Sequence, residues 1–243
     1  MKKIISILSL ALCASSISSY AYETLSYGFV YVNGGYANSP SSLDWNQFSL
    51  PNHTTANNGE SSNAFSASML AGLGADLGYD LSLEAMLGIG FTSALYDSSA
   101  TTTSTLPPPA TAHGSFKIER SLYVPILLGL KYQPFNRLSF SAAGGAAFLN
   151  QTYKANLSGF STPIASDGTL SGFQPAMRLA MDVQLTRSLS LSASYLRTFG
   201  NATIDNDNSK PLPIQTFSLG LRYQFPMGEA LAKQRIYGTP SIR

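Results

Sequence analysis

The chain has 243 residues, 44% apolar and only 12% charged, against the quarter or so that is usual for a soluble domain. Setting Lys2 and Lys3 aside leaves thirteen basic residues to the 13 acidic ones, so the remainder is neutral and has no electrostatic footprint for nucleic acid. No later run approaches the ~20 apolar residues of a membrane-spanning helix, so a membrane protein with this sequence must cross as strands.

In chain order, the first element is a leader. Lys2 and Lys3 precede an apolar run over 4–12, and Ser19-Tyr20-Ala21 offers a small-x-small cleavage site; residues 1–21 read as a secretory signal peptide with a mature start at Tyr22. Cys13, the only cysteine, would leave with it, and Leu12 stands where a lipoprotein signal carries a small residue. The exported chain would therefore hold its fold without a disulfide.

Eight strands are expected next. The first spans 27–36. In 65–79 the outward set is Met69, Ala71, Leu73, Ala75, Leu77 and Tyr79; in 81–96 it is Leu83, Ala85, Leu87, Ile89 and Phe91. The fourth, 116–132, carries Leu122, Val124, Ile126, Leu128 and Leu130. The fifth, 138–148, is weaker, with Phe140 and small residues about Gly144-Gly145; 173–185 has Met177, Leu179, Met181, Val183 and Leu185, and 189–199 has Leu191, Ala193 and Tyr195. The last, 215–225, is the cleanest: Phe217, Leu219, Leu221, Tyr223 and Phe225 alternate with Ser218, Gly220, Arg222 and Gln224. A period of two puts each set on one face of a strand. Apolar outward and polar inward is the pattern of a transmembrane barrel, and most runs reach the ~9–11 residues such a strand needs.

The connections alternate in length. The turns at 79–80, 133–137 and 186–188 are short, whereas 37–64, 97–115, 150–172 and 200–214 are long and rich in Ser, Thr, Asn, Gly and Pro. Short periplasmic turns and long extracellular loops give an eight-stranded antiparallel up-and-down barrel over 22–225, with both ends in the periplasm and 226–243 as a short periplasmic tail. Aromatic residues near strand ends form the expected girdles: Tyr27, Tyr79, Tyr132, Tyr223 and Phe225 on the periplasmic side, and Phe65, Phe91, Phe148, Phe173 and Phe217 on the outer side. The inward set includes Asp76, Glu84, Lys131, Arg178, Asp182 and Arg222, mostly in the periplasmic half. Charges taken from water must pair, so these six are expected to form a plug of salt bridges; a gate or proton path is the functional alternative.

The run SLYVPILLGLKYQPFNRLSFSAAGGAAFL (121–149) resembles the central hairpin of the small outer-membrane β-barrel superfamily that includes OmpA-, OmpX-, OmpW- and opacity-type proteins. LSLSASYLRTFG (189–200) and TFSLGLRYQF (216–225) resemble its last two strands. The resemblance implies a Gram-negative outer-membrane location, lipid as surroundings, and a terminal strand, marked by Phe217, Leu219, Leu221, Tyr223 and Phe225, read by the barrel-assembly machinery. One departure stands out: the family's closing aromatic usually ends the chain, and here eighteen residues follow Phe225.

Catalytic candidates are few. His113-Gly114-Ser115 with Glu119 nearby is similar to the His-x-Ser arrangement of outer-membrane lipid A deacylases, but Gly114 and Phe116 replace that family's aromatic and Asn. His53 lies in another long loop, and the Asx-rich run 205–208 lacks the Gly and terminal Glu of a calcium loop. The four sequons, at Asn52, Asn150, Asn156 and Asn201, occur in polar loops where chance supplies them, and the threonines 101–105 with prolines 107–109 read as an extended segment. No cofactor or metal is implied. The expected role is a monomeric, non-enzymatic surface barrel whose loops contact host, cell-surface or envelope ligands; a narrow channel for small or hydrophobic solutes is the alternative, and a lipid A-modifying enzyme the third reading. On this reading the mature chain begins near Tyr22, fractionates with the outer membrane and migrates differently on gels with and without heating. Recovery as a soluble periplasmic protein would overturn it.

Overall fold

In hydrocarbon an unpaired backbone N–H or C=O has no water to turn to, so a sheet that crosses must bond every strand on both sides and close on itself. The structure, a computed structural model, describes residues 25–40, 53–104, 111–158, 164–200 and 210–227. The leader 1–21, the tail from 228 onward, the sequons at Asn52 and Asn201, the prolines 107–109 and the run 205–208 lie outside the described residues.

The strands are β1 (Leu25–Asn38), β2 (His53–Ser61), β3 (Ala64–Gly78), β4 (Leu81–Thr92), β5 (Tyr96–Ser104), β6 (Thr111–Phe135), β7 (Leu138–Ser158), β8 (Ile164–Gln184), β9 (Leu189–Thr198) and β10 (Gln215–Pro226). Eight of them, β1, β3, β4, β6, β7, β8, β9 and β10, pair antiparallel in a ring. The first and last strands close it, with Tyr27 opposite Pro226 and Asn38 opposite Gln215.

The outward faces carry the expected residues: Phe173 and Leu219 are each 66% exposed, and the Phe217-to-Phe225 set all faces out. Outward aromatics stack across neighbouring strands, Tyr195 on Phe217 at 4.8 Å and Phe148 on Phe173 at 5.2 Å between ring centroids. One girdle residue is misplaced by sequence. Tyr27 is 7% exposed and points into the lumen, because β1 runs Tyr27, Phe29, Tyr31, Asn33 on its inward face. Its outward positions 28 and 34 are glycines; at Gly28 the ring of Phe225 fills the space a side chain would need. The β3–β4 connection is a two-residue turn, Tyr79-Asp80, with both φ near +60° (54° and 60°), the left-handed geometry whose twist suits a tight hairpin.

The long connections differ from the expected irregular loops. The third expected strand ends at Thr92, and Tyr96 opens a separate strand, β5, paired with the outer part of β6. β2 pairs with β5 in turn, while β7 and β8 continue their pairing out to Leu157 and Ile164. At 25 residues, β6 is about 80 Å long, roughly twice what a strand tilted by ~45° needs to cross ~30 Å of hydrocarbon. The excess stands above the membrane as a sheet of β2, β5 and the outer portions of β6, β7 and β8. Outside lipid a strand needs no apolar outer face, so these segments lose the outward signal and keep only the inward one: Phe116 and Ile118 on β6, Leu170 on β8, Ala100 on β5, all buried.

Phe225 closes the barrel wall against Gly28, and Pro226, which cannot donate to a ladder, ends the paired strand. Phe225→Ala is therefore expected to lower the yield of inserted, heat-modifiable barrel more than truncation after Met227. Equal loss from both variants, or greater loss from the truncation, would contradict this.

Candidate functional site

Among the described residues the lumen is where charge is brought out of water, and its construction starts with glycine. Around one inward row, Tyr27 on β1 faces Gly74 on β3, Gly74 faces Glu84 on β4, and Glu84 faces Gly129 on β6. With no side chains at 74 and 129, the ring of Tyr27 lies over Gly74 and its hydroxyl donates to Glu84 Oε1 at 2.8 Å. The same device recurs where the Tyr123 ring covers Gly90. Alternating large and small inward residues is how a narrow barrel fills its taper.

Into the space so framed comes Arg222 from β10, 1% exposed. Its guanidinium donates to Glu84 Oε1 at 2.6 Å and to Asp182 Oδ2 at 3.0 Å, and to the Tyr31 hydroxyl at 2.6 Å. Tyr31 in turn donates to Asp182 Oδ2 at 2.9 Å. The guanidinium sits 4.5 Å from the Phe29 ring centroid and 5.1 Å from that of Tyr31. The planar fork suits two carboxylates and an aromatic face at once. One side chain thereby ties β10 to β4, β8 and β1.

The six inward charges expected from the sequence separate into different environments. Glu84, Asp182 and Arg222 join in the cluster just described. Arg178, also 1% exposed, stacks over Tyr31 with its Cζ 4.3 Å from the ring centroid, and no carboxylate lies within 4 Å of it among the described residues. Lys131 lies 5.7 Å over the Tyr27 ring near the periplasmic mouth, likewise outside ion-pair distance of any described carboxylate. Asp76 is exposed at the rim, where it accepts a bond from the Gly78 N–H at 2.9 Å. Of the three lumen aromatics of β1, the sequence reading placed Tyr27 in the girdle and passed over Phe29 and Tyr31, although all three stand at period two on one face.

The outer half of the lumen is lined by uncharged polar side chains such as Ser66, Thr92, Ser121 and Gln174, and a segment between β9 and β10 folds into it. Pro211, Leu212, Pro213 and Ile214 fold inward, and Leu212 and Ile214 are completely buried. The segment's Ile214 carbonyl accepts from the Thr198 N–H of β9 at 2.8 Å, and side chains supply further partners. Gln151 donates to the Leu212 carbonyl and accepts from its N–H, each at 2.8 Å, Gln174 donates to the Pro211 carbonyl at 2.6 Å, and Ile214 donates its N–H to Thr198 Oγ1 at 2.8 Å. An apolar Pro-Leu-Pro-Ile inside an otherwise polar loop was the sequence signal for this seal.

Above the membrane the outward face carries a cross-strand row, Asp97, Lys117, Lys154 and Asp167, in register on β5, β6, β7 and β8. Lys154 also contacts Glu119 at 2.8 Å, a bond that holds its ammonium above the ordinary lysine range. Glu119 is thus engaged with a lysine, and His113 Nδ1 shares a hydrogen bond with Thr101 Oγ1 at 3.2 Å; His113, Ser115 and Glu119 do not form a proton relay. Among the described residues no three His, Cys, Asp or Glu side chains are placed to hold a metal ion.

A closed antiparallel ring of eight strands, apolar outside and polar within, is a transmembrane barrel of the Gram-negative outer membrane. The family model for the outer membrane protein beta-barrel domain matches residues 8–225, and the chain belongs to that family. Among solved structures it is similar to the Neisserial surface protein A (12% identity, 82% of this chain and 97% of that one, TM-score 0.40). It is also similar to OprG from Pseudomonas aeruginosa (11%, 83% and 97%, 0.42). A third likeness is to Ail, the attachment invasion locus protein of Yersinia pestis, in complex with the heparin analogue sucrose octasulfate (13%, 82% and 99%, 0.36). No curated protein matches the sequence.

Arg222→Met would leave Glu84 and Asp182 buried without their cation, a loss on the order of 3–5 kcal/mol for a fully buried pair. Neutralising all three in Glu84→Gln/Asp182→Asn/Arg222→Met is expected to recover most of that loss, read as the urea midpoint of the heat-modifiable band. A triple variant no more stable than Arg222→Met alone would show that the charges do not act as a unit.

Proposed function

We propose that this barrel is a non-enzymatic surface protein of the outer membrane, acting through its extracellular sheet and not through its lumen. One arrangement supports the reading: two sets of buried side chains stand in series along the lumen. Arg222 and its carboxylates close the inner half, and Leu212 and Ile214, clamped by Gln151 and Gln174, close the outer half. An eight-stranded barrel has an interior just wide enough for its own side chains, so little of the cross-section is left for a solute.

The projecting sheet supports the complementary half of the proposal. Strands that continue well past the membrane give a paired, preorganised platform, and a preorganised surface loses less entropy on binding than a mobile loop. Its register row of two carboxylates and two ammonium groups suits a polar partner of mixed charge on a host, another cell or the envelope. Within the bacterium the terminal strand with Phe217, Leu219, Leu221, Tyr223 and Phe225 is the part proposed to meet the barrel-assembly machinery, and the inserted protein is proposed to stand as a monomer.

Purified protein in a planar bilayer is expected to give no steady conductance. Because the two blocks are in series, Leu212→Ser alone and Arg222→Met alone should each remain silent. Stable porin-like currents from the wild type would reject this reading and promote a channel for small solutes.

A further inference from the structure

The outward face of β9, β10 and β1 carries three rows of side chains in register that neither the lumen nor the extracellular sheet uses. Outermost is a polar row, Arg197, Gln215 and Asn38. Next toward the membrane core is an aromatic row, Tyr195, Phe217 and Tyr36, in which the first two rings lie 4.8 Å apart. Beneath it stand Ala193, Leu219 and Gly34, a small residue on either side of an exposed leucine. The small residues open a groove of about 1130 Å³ that continues over Leu179 and Met181 of β8. The polar row holds donors that lack protein acceptors. The Arg197 guanidinium lies over the Phe199 ring, its Cζ 5.2 Å from the centroid, and so turns away from the membrane core. It has no carboxylate within 4 Å among the described residues, whereas Lys117 and Lys154, further out, each have one. Beside it, Gln215 Oε1 accepts from the Tyr195 hydroxyl at 3.2 Å, which leaves the amide N–H groups of Gln215 to donate elsewhere.

We propose that this face binds a phosphate-bearing lipid of the outer leaflet, its phosphate on Arg197 and Gln215 and an acyl chain in the groove beneath. A cation at the membrane boundary needs an anionic partner, and the planar guanidinium fork matches phosphate oxygens in pairs. Tyrosine rings sit at headgroup level, so the aromatic row marks the depth at which a lipid changes from polar to apolar. That row lies between the donors and the groove. Free phosphate would use only the polar row; a lipid carries both halves of the match on one molecule. A second copy of the barrel fits less well. Two copies in one membrane, related by a two-fold axis along its normal, would bring their unpaired Arg197 side chains together at the same depth, like charge against like.

The test uses the full-length protein refolded in a maltoside detergent and titrated with lipid A, the bound lipid being counted by native mass spectrometry. The wild type is expected to retain one lipid A per barrel. Arg197→Gln should weaken that binding about tenfold or more, the loss of one charge-assisted contact. Gly34→Leu fills the groove and should weaken it comparably; a Cβ at 34 would meet only the Ser66 carbonyl, at 3.9 Å, so the wall is spared. Both variants are shown to be folded by their heat-modifiable bands. Dephosphorylated lipid A should bind the wild type no better than it binds Arg197→Gln, an outcome that a purely structural role for the arginine would not give. The proposal is overturned if either variant holds lipid A as tightly as the wild type, or if removing the phosphates leaves the affinity unchanged. A wild-type dimer whose contact excludes the lipid would also overturn it and give this face to a second copy.

Discussion

Everything in this molecule follows from the fact that hydrocarbon offers the backbone no hydrogen-bond partner. That forces β1 onto β10 and makes the wall a continuous ladder. A closed ladder then divides every strand into two faces with opposite requirements: lipid outside, and inside a volume too narrow for bulk water. The inner face is left to be filled by whatever the sequence can fit, and the fit is made by contrast in size. Gly74 and Gly90 give up their side chains so that the rings of Tyr27 and Tyr123 can occupy the bore.

Charge inside the bore is tolerated because it is arranged across strands. Arg222 meets carboxylates from β4 and β8 and aromatic faces from β1, and from its own strand a longer contact, at 3.4 Å, to Gln224 Oε1. Arg178 is accommodated differently, by the face of Tyr31 alone. Among the described residues the outer half buries no charge. There the closing device is apolar and is held by amide side chains that imitate the pairing a strand would have supplied.

The barrel was legible from the sequence because lipid imposes an outward apolar set on every spanning strand, and that set is hard to produce otherwise. The six inward charges were legible as a group by the same alternation. Which of them meet was not, since Glu84, Asp182 and Arg222 stand far apart in sequence and their contact depends on ring closure and on the glycines between them. Lys131, expected only as one of the plug's six charges, lies over the Tyr27 ring at the periplasmic mouth. Tyr27 was mistaken for a girdle residue because a tyrosine at a strand end reads alike on either face. The extracellular sheet was hidden for a related reason: above the lipid the outward set becomes polar, and only Phe116, Ile118 and Leu170 keep the inward rhythm.

The unbroken length of β6 and β7 also has a mechanical meaning. They stay paired from Phe135 and Leu138 at the periplasmic turn to His113 and Ser158 at the far end, with register shifts between Ile118 and Arg120 and between Tyr132 and Phe135. A tether attached to the outer end would pull along the strand axes, so the load would fall on a long row of transverse hydrogen bonds in shear, all sharing the strain together. A flexible loop under the same pull would straighten first and pass the force to its anchor points one bond at a time. The membrane-embedded wall and the exposed sheet are, in this sense, a single lever with its fulcrum in the lipid.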